Sequence, residues 1–154
     1  MVIDNRPGGS TIPATEAAAR SPADGLTLLF STDATFTINP HLYNKLPYDL
    51  DRDFHAITQL VSFSQMLVVN GDLPVNSLQE LLALAKAKPG SLSYASYGPG
   101  SQPQLATEML KQKAGVFIVH IPYRGIPQAV TAVVSNEVPM TWSGIVSARA
   151  HIAS

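Results

Sequence analysis

Apolar positions along this chain fall into two rhythms, short runs of strand character and longer stretches with helical stripes. Met1 to Asp4 predicts the end of a strand, Asn5 to Ser10 (NRPGGS) a turn, and alanine-rich Thr11 to Arg20 a helix halted by Ser21-Pro22. After Asp24-Gly25, the run Leu26 to Phe30 is short enough for a buried parallel strand, which would complete a βαβ unit. The polar stretch Ser31 to Thr37 then falls at that strand's carboxyl end, where open α/β sheets collect their ligands. Asn39 to Asp53, with mixed polarity and prolines at 40 and 47, predicts short helical turns and loop. Phe54 to Asn70 carries a β-compatible series too long for one strand and interrupted near Ser62 to Gln65, so it predicts two consecutive strand pieces.

The second half is more regular. Asn76 or Ser77 can cap a helix whose stripe is Leu78, Leu81, Leu82 and Ala85, ended by Pro89-Gly90. Leu92 to Leu105 (LSYASYGPGSQPQL) then reads as strand, glycine turn and helix start. Leu92, Tyr94 and Ser96 alternate with Ser93 and Ala95, and Gly98-Pro99-Gly100 stops the ladder. Ser101 suits an N-cap whose hydroxyl accepts from first-turn amides, and Pro103 falls where a missing N–H costs nothing. Such a turn is expected to aim free backbone amides and a positive helix end at one point, where a carboxylate would be held. Leu105, Met109 and Leu110 give the helix an apolar face and Gly115 its stop. Phe117 to Ile121 predicts a strand, Pro127 to Ser135 a helix with Val130, Val133 and Val134 inward, Val138 to Trp142 a strand, and Ile145 onward a helix. The alternation predicts an α/β fold, a parallel-rich sheet with helices on both faces.

Composition narrows the partners. The 154 residues carry a formal net charge of -1 with 14% charged and 45% hydrophobic residues, so no basic field exists to hold nucleic acid or an anionic membrane. With no cysteine, disulfides, thiolate zinc sites and cysteine nucleophiles are excluded together. No apolar run approaches the roughly 20 residues of a membrane span, and Met1 is not followed by the basic and apolar regions of a signal peptide. Helix-like residues run to the last position without a stop, and both ends read as cut.

Chemical motifs do not favour catalysis. Gly98-Pro99-Gly100-Ser101-Gln102-Pro103 has two glycines of the dinucleotide fingerprint but proline in place of the third, and His120 and Ile121 stand where an acidic residue is needed, so no cofactor is expected. Asp49, Asp51 and Asp53 alternate like a calcium loop, yet Phe54 and Leu60 occupy its glycine and glutamate positions. The four histidines show no helical ligand spacing, and His120 reads as a structural histidine at a strand end. No nucleophile elbow occurs. What remains are turns at the carboxyl ends of predicted strands: Asn5 to Ser10, Ser31 to Thr35, Tyr97 to Gln102 and Tyr123 to Gly125. They are rich in hydroxyl and amide donors with one cation, Arg124, which suits small carboxylates or neutral polar solutes better than phosphates; glycine, proline and serine are also what any βα turn uses.

Asn5-Arg6-Pro7-Gly8-Gly9, Pro22-Ala23-Asp24-Gly25-Leu26-Thr27-Leu28-Leu29, Ile38 to Tyr43, Lys45 to Asp49, Leu81 to Gly90, Tyr94-Ala95-Ser96, the Gly98 to Ser101 turn and His120 to Gly125 occur in an order and spacing that resembles the tripartite tricarboxylate transporter substrate-binding proteins, the Bug receptors. The resemblance covers essentially the whole chain. It implies a periplasmic solute receptor with two α/β lobes joined by crossover strands, closing on a carboxylate (a di- or tricarboxylate, an aromatic carboxylate or an amino acid) and delivering it to membrane transporter subunits. On that resemblance residues 1–62 form a partial first lobe, 63–154 the second lobe, and the stretch near 57–70 the crossover. Ser31, Thr32, Ala34 and Thr35 would face the ligand from the first lobe. Gly98, Gly100, Ser101, Gln102, Tyr123, Arg124 and Gly125 would face it from the second, holding it through amides, hydroxyls and ordered water.

The chain departs from the pattern. Family members are roughly twice as long, with a signal peptide, a first strand and a C-terminal return into the first lobe that have no counterpart here. Ser143 stands where the family often has an aspartate, which implies weaker selection for amino acid ligands. Three readings follow: a solute-binding module impaired by truncation, a self-associating structural fragment that pairs through its incomplete lobe as a homodimer, and an α/β enzyme of unassigned activity.

Overall fold

The computed structural model describes residues 1–152, the side chain of Ile152 excepted, and divides into two compact units, Met1–Ser62 and Phe63–Ser154.

The first unit is helical where it is regular. A single 3-10 turn, Gly9–Thr11, leads into α1 (Ile12–Ala19), followed by the short helices α2 (Asp33–Thr37), α3 (Asn39–Leu42) and α4 (Leu50–Asp53). Pro13 sits in the first turn of α1, and Asp49 caps α4 by accepting from the amides of Asp51 and Arg52. That capping gives Asp49 a structural role in the alternating aspartates, which do not complete a calcium loop. Neither Met1 to Asp4 nor Leu26 to Phe30 forms a strand, so the expected βαβ unit is not built. A strand exists only through its ladder, and among the described residues neither segment has one: Leu26, Leu28 and Phe30 are 85%, 69% and 73% exposed rather than buried. The same holds for 55–64, so only one piece of the long β-compatible series pairs.

That piece is β1 (Gln65–Val69), which opens the second unit. There follow α5 (Leu78–Ala87), β2 (Ser93–Ser96), α6 (Gln102–Ala114), β3 (Val119–Pro122), α7 (Ile126–Val134), β4 (Met140–Gly144) and α8 (Ile145–Ile152). The sheet order is β1-β4-β2-β3, with β2 parallel to both β3 and β4, and β1 antiparallel at the edge. Register places Gln65 opposite Gly144, Tyr94 opposite both His120 and Met140, and Leu67 opposite Trp142.

Each face carries helices. On one, Leu81 and Ala85 of α5 pack with Leu92, Tyr94, Val116, Ile118 and Met140 in a buried cluster. On the other, Ala129 and Ala132 of α7 pack against Ala95 and Val138, small residues that let helix and sheet approach closely. Val130 and Val133 are buried as the stripe predicts, but Val134 is 51% exposed. In α6 the expected inward face is reversed: Met109 is 59% exposed, and the buried residues are Pro103 and Thr107. The sheet supplies the reason, since the Trp142 indole N–H needs an acceptor and finds it in Thr107 Oγ1 at 3.0 Å. Ser77 caps α5 by accepting from the Glu80 amide, while Glu80 reaches back to the Asn76 amide at 2.7 Å. Gly115 ends α6 with φ 64, the left-handed conformation in which glycine avoids the penalty of a Cβ.

Candidate functional site

The carboxyl ends of β2, β3 and β4 lie along one rim of the second unit, and because β1 runs the other way its first residue, Gln65, joins them there. Three polar side chains meet at this rim. Gln65 Nε2 donates to Tyr97 Oη at 3.1 Å and to Gln102 Oε1 at 2.6 Å, tying the edge strand to the residue after β2 and the first residue of α6. All three are half-buried. The sequence singles out the turn from Tyr97 to Gln102 but not Gln65, whose one signal is that of a lone amide opening an apolar strand.

Beneath them the glycine turn is a closed network rather than an open nest of donors. The Gly98 amide donates to Ser96 Oγ at 3.1 Å, the Gly100 amide to Gln104 Oε1 at 2.6 Å and the Ser101 amide to Gly98 O at 3.2 Å. This corrects the expectation of free amides at Gly98 and Gly100: the turn is buried, and buried donors find partners. Ser101 is the N-cap of α6, as expected, with Gln102 and Pro103 opening the helix, but its hydroxyl donates to Gly98 O at 2.6 Å instead of accepting from the helix. Gly98 (φ 118) and Gly100 (φ 75) hold positive φ, the conformation that lets the chain fold back on itself here.

His120 supports the same turn from β3. Its ring stacks on Tyr94 with centroids 5.0 Å apart, and its Nε2 lies 2.5 Å from Ser96 Oγ. Tyr94 Oη donates to Glu108 Oε1 at 2.9 Å, and Lys111 Nζ donates to the same oxygen at 2.8 Å. Burial, and then the Glu108 acceptor, push the Tyr94 phenol up. Burial pushes the Glu108 carboxyl up, but the hydrogen bonds from Lys111 and Tyr94 outweigh it and leave it below the usual range. Burial also lowers His120, favouring the neutral imidazole.

The remaining residues singled out in this unit are Tyr123, Arg124 and Gly125, which follow β3, and Ser143 in β4. Tyr123 donates its hydroxyl to Glu137 Oε1 at 2.8 Å, and burial and that carboxylate raise its phenol. With Pro127, Gln128, Thr131, Ala132 and Glu137 it lines a shallow hollow of about 360 Å³ against α7. Gln128 Oε1 accepts from the Arg124 amide at 3.1 Å, Gly125 is the N-cap of α7, and the Arg124 side chain is exposed. Ser143 is 1% exposed, and its hydroxyl faces the Gly144 carbonyl at 3.3 Å.

In the first unit Ser31 and Thr35 are brought together, their hydroxyls 2.5 Å apart, and Thr35 Oγ1 continues to Thr11 Oγ1 at 2.6 Å. Thr35 is fully buried; Thr32, the N-cap of α2, is exposed and makes no side-chain cap, and Ala34 is half-buried. Ser10 (φ 51) and Thr11 (φ 69) extend the positive-φ run of Gly8 and Gly9, a conformation costly for a β-branched residue. Asn39 Nδ2 donates to Ser10 O at 2.8 Å and braces that turn. Among the described residues no group of acidic, histidine or cysteine side chains could hold a metal ion, and no helix is long and apolar enough to cross a membrane.

The family model described as tripartite tricarboxylate transporter family receptor, TctC, matches residues 1–154. The chain belongs to this receptor family. A UPF0065 protein of Bordetella pertussis is 35% identical over 152 residues, 99% of this chain and 47% of the relative. Protein BugT of the same organism is 33% identical over 155 residues, 100% of this chain and 48% of the relative. This TctC chain therefore spans about half the length of the curated relatives it matches. Its fold superposes on an R. palustris protein solved with adipate at a TM-score of 0.94 and 30% identity, covering 99% of this chain and 51% of that one. It superposes on the periplasmic binding protein BugD at 0.89 and 27%, covering 99% and 50%, and on MatC from Rhodopseudomonas palustris with bound malate at 0.80 and 26%, covering 92% and 48%. The family is one of periplasmic solute-binding receptors, not of enzymes, which sets aside the catalytic reading.

Proposed function

We propose that the chain forms part of a receptor for small dicarboxylates, the second unit being one lobe and its rim of Gln65, Tyr97 and Gln102 one wall of the ligand site. The observation that carries this is the TM-score of 0.94, over 99% of the chain, to a protein solved with adipate. The chemistry at the rim agrees with it. An amide and a phenol, backed by the start of a 13-residue helix, offer hydrogen bonds to a carboxylate in a chain with few cations. Arg124, whose side chain is exposed just after β3, would add a charge. Delivery to membrane transporter subunits in the periplasm belongs to the same proposal and rests on the family.

Calorimetry with adipate and malate tests it on this chain and on a full-length family member carrying the same substitution. Gln65→Ala is expected to weaken binding by about 1.5 to 3 kcal/mol, the worth of a hydrogen bond to a charged group. Binding of neither acid to either protein, or an unchanged affinity in Gln65→Ala, would sink the proposal.

A second reading is favoured by one observation in the first unit: Leu26, Leu28, Phe30, Ile57 and Leu60 are 69% to 85% exposed in segments that form neither helix nor ladder. Unpaired segments bearing apolar side chains pair readily with another copy. Light scattering at micromolar concentration separates the two outcomes, and a monomeric mass excludes the homodimer.

A further inference from the structure

At Ser96 two acceptors compete for one hydroxyl proton. Its hydroxyl oxygen accepts from the Gly98 amide at 3.1 Å and faces two acceptors, His120 Nε2 at 2.5 Å and Gly98 O at 3.3 Å. One hydroxyl proton serves only one of them. Gly98 O already receives two donors, the Ser101 hydroxyl at 2.6 Å and the Ser101 amide at 3.2 Å, which fill its two lone pairs. The Ser96 proton therefore belongs to His120, whose Nε2 must be bare and whose ring proton sits on Nδ1.

We infer that His120 is a positioning residue for the Gly98–Ser101 turn, and that protonating it loosens the turn and weakens the ligand site on the rim above. A proton on Nε2 turns that atom into a donor, so the Ser96 hydroxyl must swing to Gly98 O. That carbonyl then has three donors for two lone pairs, and one bond of the buried turn is lost. Gln102, which meets Gln65 at the rim, directly follows Ser101, so the displacement reaches the rim through one peptide unit. The titratable groups facing His120 among the described residues are Tyr94 on β2 and Glu108 and Lys111 on α6. Burial favours the neutral ring, Glu108 opposes this, and Lys111 adds to it. The sign follows: with the folded value lowered from 6.5, the stabilisation is complete above about pH 6.5 and is lost as pH falls through the folded value.

The proposal rests on the carboxylate reading above only for its ligand arm. On the full chain, nitrogen NMR of the His120 ring and of the Gly98 and Ser101 amides is followed from pH 8 to pH 4.5. Expected is a bare Nε2 at pH 7.5, and amide shifts of both residues that share the His120 midpoint below about pH 6.5. In His120→Gln those amide shifts are flat, and Ser96→Ala serves as the second variant because it cuts the link while leaving the ring to titrate. A protonated Nε2 at pH 7.5, or amides that do not follow the ring, overturns the proposal. Adipate affinity is then compared at pH 7.5 and pH 5.5, with His120→Gln subtracting the titration of adipate itself. A loss at least threefold larger in the unmodified chain than in the variant supports the inference, and an equal loss in both overturns its ligand half. Amides that follow the ring in a chain that binds no adipate at either pH support the positioning role and count against the carboxylate reading instead.

Discussion

Replacing Thr107 by valine tests the account of why α6 turns a threonine, rather than Leu105 or Met109, toward the sheet. Thr107 is fully buried; its Oγ1 accepts from Trp142 Nε1 at 3.0 Å and donates to Pro103 O at 2.8 Å. Valine keeps the shape and removes both bonds. The indole N–H then lies under α6 with no acceptor, a situation that costs about 1 to 3 kcal/mol, and since Trp142 is only half-buried the lower part of that range applies. Adding the lost bond to Pro103 gives roughly 1.5 to 2.5 kcal/mol, or about 5 to 15 °C in Tm for a domain of this size. Trp142 is the single tryptophan of the sequence, so its fluorescence in urea or on heating reports the second unit alone. Thr107→Ser keeps the hydroxyl and is expected to lose less than about 1 kcal/mol, the worth of one methyl. A valine variant within about 0.5 kcal/mol of the parent, or a serine variant equally destabilised, refutes the reasoning.

Two further substitutions test helix ends by the same optical signal. Gly115→Ala meets no atom within 4 Å, so its cost is purely the left-handed backbone, about 1 kcal/mol; an unchanged denaturation midpoint contradicts this. Ser77→Ala removes the cap of α5 and is expected to cost about 1 kcal/mol, with Ser77→Asp restoring most of it; equal loss in both variants speaks against capping.

Much of the second unit is legible in the sequence because its decisive signals are local. The Leu92 to Ser96 alternation, Ser77 before a striped helix, Pro103 in a first turn and Gly115 at a helix end each do in the fold what their chemistry suggests. What escaped depends on a partner distant in the chain. Leu26 to Phe30 has a buried strand's composition, yet a strand needs a neighbour to pair with, and composition does not reveal whether one is at hand. The inward face of α6 is chosen by an indole 35 positions away, and the Ser101 hydroxyl is turned by a carbonyl that becomes available only once Gly98 adopts φ 118. Gln65 is brought to the rim by the one antiparallel pairing of the sheet, which the strand-helix alternation gave no reason to expect.

That pairing also sets how the unit answers tension. Gln65, where β1 begins, lies opposite Gly144, where β4 ends, so the chain arrives at and leaves this pair of strands on the same side. Force applied between the segment before Gln65 and the segment after Gly144 loads the ladder at one rung. Its bonds then break in succession, as a zipper opens, whereas a parallel neighbour pulled from opposite ends would have to shear all its rungs together. The rim would be the first part of the unit to yield, and the Gln65 to Gln102 contact would go with the first rung.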